Sequence, residues 1–211
     1  MMNNYIIEAS SISKSYGSNL VLNDISFTCK KGDAVAFVGP NGCGKSTLLR
    51  ILSGLTPPTS GQLNFCDEEI KIAFIPDHYE KINIKTKTFF NHVMDIYQCI
   101  DHQERLDDLI KEFQLESMLD TQLKHLSKGS LQKVAIIQAL ICDSDLLFMD
   151  EPLSGQDIQS EQYFIEQIHQ LKKRGASIIL ATHDDELVTE IADTVFSFEN
   201  GRIHKRVEGK L

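Results

Sequence analysis

What the chain lacks narrows its class before any motif is read. No apolar run approaches the roughly 20 residues that a membrane-crossing helix needs, so these 211 residues are not expected to span a bilayer by themselves. The opening stretch, MMNNYIIEAS, has no basic segment followed by a long apolar one, which argues against secretion and for a cytoplasmic protein. The five cysteines, Cys29, Cys43, Cys66, Cys99 and Cys142, are scattered and include no C-x-x-C pair. Reduced, mostly structural thiols are therefore expected. Positive charge is also short: the formal net charge is -9, which opposes nonspecific binding to nucleic acid, since that binding depends on neutralising phosphates. No nucleic-acid partner is expected. Neither a long linker nor an internal repeat interrupts the sequence. With 42% hydrophobic and 24% charged residues, the chain suits one globular domain that buries about 70% of its unfolded surface.

Its most informative stretch is AVAFVGPNGCGKSTLLRIL, Ala34 to Leu52. An apolar run, Ala34–Val38, reads as a buried strand; it breaks into GPNGCGKS, and Leu48, Leu49, Ile51 and Leu52 then read as a helix. The loop fits G-x-x-x-x-G-K-[ST], with Gly39, Gly44, Lys45 and Ser46 at the fixed places and Pro40, Asn41, Gly42 and Cys43 between them. Glycines let the backbone curl without Cβ clashes, so successive N–H groups point inward at a polyphosphate seated on the new helix's positive end. Lys45 adds a full charge there. Ser46 can supply a hydroxyl to a magnesium ion bridging the phosphates, and Thr47 extends the first turn. Cys43 is either a small residue that fits the loop or a thiol whose ionised form the amides and Lys45 favour.

Before this stretch, YIIEA, SISKSYG and VLNDISFTC read as two or three short strands with a turn at Gly17 to Asn19. After it, Gly54 to Gly61 is turn-rich and reads as a loop, QLNFC as a strand, Asp67 to Glu69 as a solvated turn and Lys71 to Pro76 as another strand. From Thr88 to Leu119 the apolar spacing becomes helical, through Phe89, Val93, Ile96, Tyr97, Leu106, Leu109, Ile110 and Phe113. A turn at Ser127 to Ser130 then precedes a strongly apolar helix whose N-terminus could bind a second anion. LLFMDE is a buried strand, stopped by Pro152. A helix with Ile158, Ile165, Ile168 and Leu171 on one face ends at Gly175. SIILATHD is a core strand, DELVTEIAD a helix, TVFSF a last strand, and Asn200 to Arg202 a turn.

Two carboxylates end the LLFMDE strand. At a strand's carboxyl end Asp150 can hold magnesium, and Glu151 beside it is placed to take a proton from a water attacking a terminal phosphate. The other reading of Glu151 is an acid near a helix start. His183, at the end of the next strand, either contacts the same phosphate or water or is structural. Tyr16, read locally, is a half-buried strand tyrosine.

Together these residues resemble the ATP-binding cassette (ABC) family of ATPases over nearly the whole chain. The element that carries the resemblance is LSKGSLQKVAIIQAL, which is similar to the family's signature segment; its place ahead of LLFMDE, the SGQD segment (Ser154 to Asp157) and the histidine after the following strand are also the family's. The resemblance implies a single ABC-type ATPase domain over residues 1–211. Its fold class would be α/β: a P-loop NTPase core of mostly parallel sheet with helices, an N-terminal antiparallel β subdomain, and an α-helical subdomain inserted at approximately 78–140. It also implies ATP and Mg2+ as cofactors, with the metal held by Ser46, Asp150 and Asp77. Tyr16 would stack on adenine, Glu151 would be the general base and His183 the switch residue.

Two such domains would stack head to tail, as a homodimer or a heterodimer. Each ATP would lie between Gly39 to Thr47 of one and the signature turn, Ser127, Lys128, Gly129 and Ser130, of the other, with Ser154 to Asp157 communicating across the interface. The partner would be a separate transmembrane permease docking mainly on the helical subdomain, which puts the chain on the cytoplasmic face of the membrane as a peripheral subunit. The LSKG form leans toward export. A soluble ABC-type ATPase that remodels a protein or nucleoprotein assembly is the alternative. A noncatalytic regulator would need a damaged base, and Glu151 is intact. Three departures stand out: Lys128 where glycine is usual, with Ser130 where glutamine is common; Asp77 where glutamine is usual; and a Gly61 to Ile75 region short for the family.

Overall fold

A computed structural model describes residues 4–99 and 102–206. Two sheets organise it. The first is antiparallel: Tyr5–Tyr16 (β1) lies between Asn19–Lys30 (β2) and Ser60–Phe65 (β4). The second has Ile72–Ile75 (β5), Leu146–Asp150 (β6), Ser177–Thr182 (β7), Ala34–Val38 (β3), Thr194–Glu199 (β8) and Arg202–Lys205 (β9) side by side in that order. It is parallel except for β9, which returns antiparallel to β8. The α/β class and the antiparallel N-terminal sheet read from the sequence are both present.

Near-continuous apolar strands are what a parallel sheet covered on both faces requires. On β3, Ala34, Ala36 and Val38 enter one core while Val35 and Phe37 enter the other. Leu147 and Met149 alternate with Leu146 and Phe148 on β6, and Ile178 and Leu180 with Ile179 and Ala181 on β7. The first core is closed by Thr86–Ile96 (α2), Gln103–Glu112 (α3), Lys128–Ile141 (α4) and Ile158–Lys173 (α5), with Asp185–Ile191 (α6) at its margin. The second is closed by Lys45–Leu52 (α1) and the antiparallel sheet. Phe27, Phe37, Phe196 and Phe198 form an aromatic cluster in it, with centroids 5.3 to 6.1 Å apart.

Several elements differ from the sequence reading. The first two short strands are one, β1, because the pairing slips between Ala9 and Ile12 and Ser11 takes a positive φ of 52° instead of ending the strand. Gly61 is strand rather than loop: a Cβ there would lie 2.5 Å from the Ser11 carbonyl oxygen, so only glycine lets β4 cross that bulge. The helical stretch from Thr88 to Leu119 is broken. It begins two residues earlier, where buried Thr86 donates its hydroxyl to Thr121 O at 3.0 Å. It stops after Ile96, where Gln98 turns to a φ of 53° and Cys99 N bonds Met94 O; positions 100 and 101 within it lie outside the described residues. Ile158 does not face the core with Phe164, Ile168 and Leu171, being 74% exposed at the first position of α5. Finally, the Asn200–Gly201 pair, both at positive φ, closes a hairpin and adds β9, which the sequence reading did not contain.

All five cysteines are free. Phe37 is fully buried, so Phe37→Ala should lower unfolding free energy by about 3 to 5 kcal/mol, measured by urea denaturation. Ile158→Ser, on an exposed side chain, should stay within about 0.5 kcal/mol of the parent.

Candidate functional site

In an open parallel sheet the crevice beyond the carboxyl ends of the strands is where ligands bind. Here the order β5-β6-β7-β3 brings four such ends into a row. Asp77 follows β5, Asp150 ends β6 with Glu151 next, Thr182 ends β7 with His183 next, and Gly39 follows β3. The register fixes the row, pairing Asp150 with Ala181 and Val38 with Thr182.

After β3 the chain turns through Gly39 to Gly44 into α1. A Cβ on Gly39 would come within 3.0 Å of Phe198 Cβ, so the loop passes close to β8 only because Gly39 has none. Gly44 caps α1 at a φ of 114°, and among the described residues no side-chain cap bonds to the helix's first amides. The first turn holds no acidic residue, which leaves an N-terminal end suited to an anion. Pro40, Asn41 and Gly42 are exposed at the rim, while Cys43 is half-buried and bonds through its amide to Pro40 O at 3.3 Å. Lys45 is buried, its ammonium donating to Gly39 O at 2.8 Å and Pro40 O at 3.3 Å. Ser46 is exposed beside half-buried Thr47.

Ser46 Oγ donates to Asp150 Oδ1 at 3.0 Å. Burial of the Asp150 carboxylate pushes its pKa above the ordinary value; the Ser46 hydrogen bond and Lys45 oppose the rise, while the charges of Asp77 and Glu151 add to it. Glu151 sits at a φ of 46°, a strained conformation for a residue with a Cβ. Its amide donates to Ala181 O at 2.9 Å and its Oε2 accepts from Thr182 Oγ1 at 2.9 Å. The other oxygen, Oε1, lies 4.0 Å from Lys45 Nζ and 2.9 Å from His183 Nδ1. Apart from that ring, no donor among the described residues is aligned on Oε1.

Ser127 to Ser130 is the start of α4 rather than a turn. Ser127 caps it by accepting from Ser130 N at 3.1 Å, and its hydroxyl lies 2.9 Å from Ser130 Oγ. Lys128 reaches back within its own chain, to Ser154 Oγ at 2.9 Å and Asp77 Oδ1 at 3.5 Å. Asp77 is also 2.6 Å from His78 Nδ1. Tyr16 corrects the local reading: it is 54% exposed at the end of β1, with Lys14 Nζ 5.2 Å from its ring centroid. Tyr16 pairs only with Asn19 across the turn, beyond Ser13, the last β1 residue that β4 pairs, so no strand flanks it on that side.

Two residues of the site escaped the sequence reading. Thr182, whose hydroxyl holds Glu151, is the lone polar side chain ending the apolar SIILAT run. Gln132, fully buried in α4, donates to Pro76 O at 3.1 Å and to Pro152 O at 3.2 Å, tying the chain beside Asp77 to the chain beside Glu151. A polar side chain inside an apolar helix was the available signal for it.

The Glu151 contact and charge raise the His183 pKa above its ordinary 6.5. A raised histidine contributes stability that is complete below the unfolded value and lost as pH rises through the folded one. His183 should therefore titrate above 6.5 by NMR, and Glu151→Gln should return the midpoint toward 6.5; an unmoved midpoint would count against the contact.

Comparison with known proteins places the chain in a family. The family model described as ABC transporter matches residues 22–154. The zinc import ATP-binding protein ZnuC of Rickettsia conorii is 31% identical over 202 residues, covering 94% of this chain and 84% of that protein. The Nod factor export ATP-binding protein I of Cupriavidus pinatubonensis is 31% identical over 219 residues, covering 97% of this chain and 66% of that protein. A solved ATP-binding subunit of an ABC transporter superposes with a TM-score of 0.85 at 28% identity, over 96% of this chain and 90% of its own. On the family match and this near full-length similarity, the chain belongs to the ABC transporter family, as one of its ATP-binding, ATP-hydrolysing subunits.

Proposed function

We propose that this subunit hydrolyses MgATP through Lys45, Asp150, Glu151 and His183 and drives a separate transmembrane permease. The observation that carries the catalytic reading is Glu151: a carboxylate fixed through one oxygen by Thr182 and by its own strained backbone, with the other oxygen turned toward Lys45 and His183. In this reading the α1 amides and Lys45 hold the phosphates, leaving the Gly39 and Pro40 carbonyls that Lys45 otherwise satisfies. Glu151 Oε1 takes the proton of the attacking water, and His183 holds Glu151 and the water in line. Tyr16, exposed at the end of β1, stacks on the base.

The donor set fits magnesium. Ser46 Oγ and Asp150 Oδ1 are hard oxygen atoms already 3.0 Å apart. Magnesium takes one or two protein oxygens and completes its shell with phosphates and water. When bound, it would neutralise charge on the phosphates. Asp77, just past β5, stands next to Asp150 at the end of β6 and would be a further oxygen donor.

The signature segment, Ser127 to Ser130 at the start of α4, would close on the ATP of a second ATPase domain, identical or not. The inserted helical subdomain, approximately 78–140, would offer the permease its docking face. No helix among the described residues is long and apolar enough to cross a membrane; in this reading the membrane path belongs to the permease, with the subunit on its cytoplasmic face. The lean toward export that LSKG carried is not supported: a zinc import protein and a Nod factor export protein match at the same 31% identity.

Glu151→Gln should keep nucleotide affinity and lower turnover by about a hundredfold or more, the scale of a lost general base, in a phosphate-release assay. Near-normal turnover would refute that role. Lys45→Ala should weaken binding itself in a nucleotide titration. Copurification with a protein of several membrane spans is the expected partner result, and a fully soluble complex without one would favour the remodelling ATPase instead.

A further inference from the structure

Two of the departures from the family pattern meet in space. Asp77 brings a negative charge to the strand-end row, where the family's usual glutamine is neutral. Lys128 brings a positive charge to the start of α4, where the usual glycine is neutral. The structure puts Lys128 Nζ 3.5 Å from Asp77 Oδ1 and holds it there with Ser154 Oγ at 2.9 Å. The backbone between them is tied as well, since Gln132, one turn along α4 from Lys128, donates to the carbonyl of Pro76, the residue before Asp77.

We propose that Asp77 and Lys128 act as one neutral unit within the chain, Lys128 being a positioning residue that cancels the charge Asp77 would otherwise present to the nucleotide. This rests on the nucleotide site proposed above. The charge matters at that place because β5 pairs beside β6, Ile75 against Met149, which sets Asp77 at the strand end next to Asp150, where an uncompensated carboxylate would repel the phosphates. The compensation also accounts for an otherwise unfavourable residue at Asp77: a polyanion site tolerates an added carboxylate when a lysine is delivered with it. His78 Nδ1, 2.6 Å from the other Asp77 oxygen, is 78% exposed, and among the described residues no second contact anchors it as Ser154 anchors Lys128.

The test is a rescue. Affinity for fluorescent mant-ATP with magnesium is measured on the intact chain, kept dilute, for the parent, Lys128→Met, Asp77→Asn and the double variant, each also in a His78→Gln background. Side chains of Lys128 and Asp77 are 55% and 30% exposed, so the variants should fold; melting temperatures check this, and Lys128→Gln serves as a second neutral replacement. Lys128→Met should weaken binding about twofold to fivefold, the scale of one exposed charge pair. Asp77→Asn should tighten it, and the double variant should return close to the parent. All differences should shrink in high salt, which a purely structural role would not do.

A double variant as weak as Lys128→Met would overturn the proposal, since Lys128 would then act on its own. So would Asp77→Asn weakening binding, which would make that carboxylate a ligand in its own right. Lys45→Ala with unchanged affinity would instead strike at the nucleotide site itself, so the two failures are distinguishable.

Discussion

Ser46 and Asp150 are 104 positions apart in the chain and share a hydrogen bond of 3.0 Å. Much else in the molecule serves to make that contact possible. It requires β3 and β6 to run in the same direction with β7 between them, which parallel pairing from Ala34 to Val38 and from Leu146 to Asp150 supplies. Parallel pairing in turn requires both sheet faces to be covered, hence the apolar run on every central strand and the two separate cores. The carboxylate pays for its burial with a raised pKa, which the Ser46 hydroxyl and Lys45 oppose. Oxygen donors gathered at a strand end are thereby kept near a lysine, the arrangement a phosphate-bound metal ion needs.

Glu151 shows the same constraint at closer range. A strand residue followed at once by proline would ordinarily leave the sheet freely, yet Glu151 N still bonds to Ala181 O and its φ of 46° bends the side chain toward β7. Strain of this kind persists only where surrounding contacts over-determine it. They do so here through Thr182 on one oxygen and His183 on the other. Thr182 itself is anchored, accepting from Asp184 N at 3.1 Å, so the start of α6 supports the carboxylate indirectly.

What was legible in the sequence follows from this geometry. Residues whose role depends on their immediate neighbours could be read: the glycine loop, Lys45, and the apolar strands that lead to Asp150 and to His183 each carry their signal in a few consecutive positions. Residues that act by contact across the chain could not. Gln132 bridges Pro76 and Pro152, and nothing local announces either partner. Ile158 has helical spacing from Ile165, but it lies at the entrance of α5, beyond the core that Phe164 and Ile168 reach. The turn expected at Ser127 to Ser130 is absent for a subtler reason: a serine with a glycine two positions on suggests a loop, whereas the serine is an N-cap and the glycine already lies in the helix.

That last point separates two neighbouring positions at the start of α4. Lys128 projects from the first turn of α4 to the surface, and its stem has room to extend to Ser154 and Asp77. Gly129 has no such room: a Cβ there would lie 2.8 Å from the Gly155 carbonyl oxygen, and its own carbonyl already accepts from Gln156 Nε2 at 3.2 Å. Any side chain at 129 would push the start of α4 away from the segment that follows Glu151 and strip the Gly129 carbonyl of its donor. The glycine is thus demanded by packing inside one chain, whatever a second subunit requires of it. The lysine is permitted by the same packing, because the helix presents that position outward. A change at 128 alters the charge of the turn and leaves its shape, while a change at 129 alters the shape first.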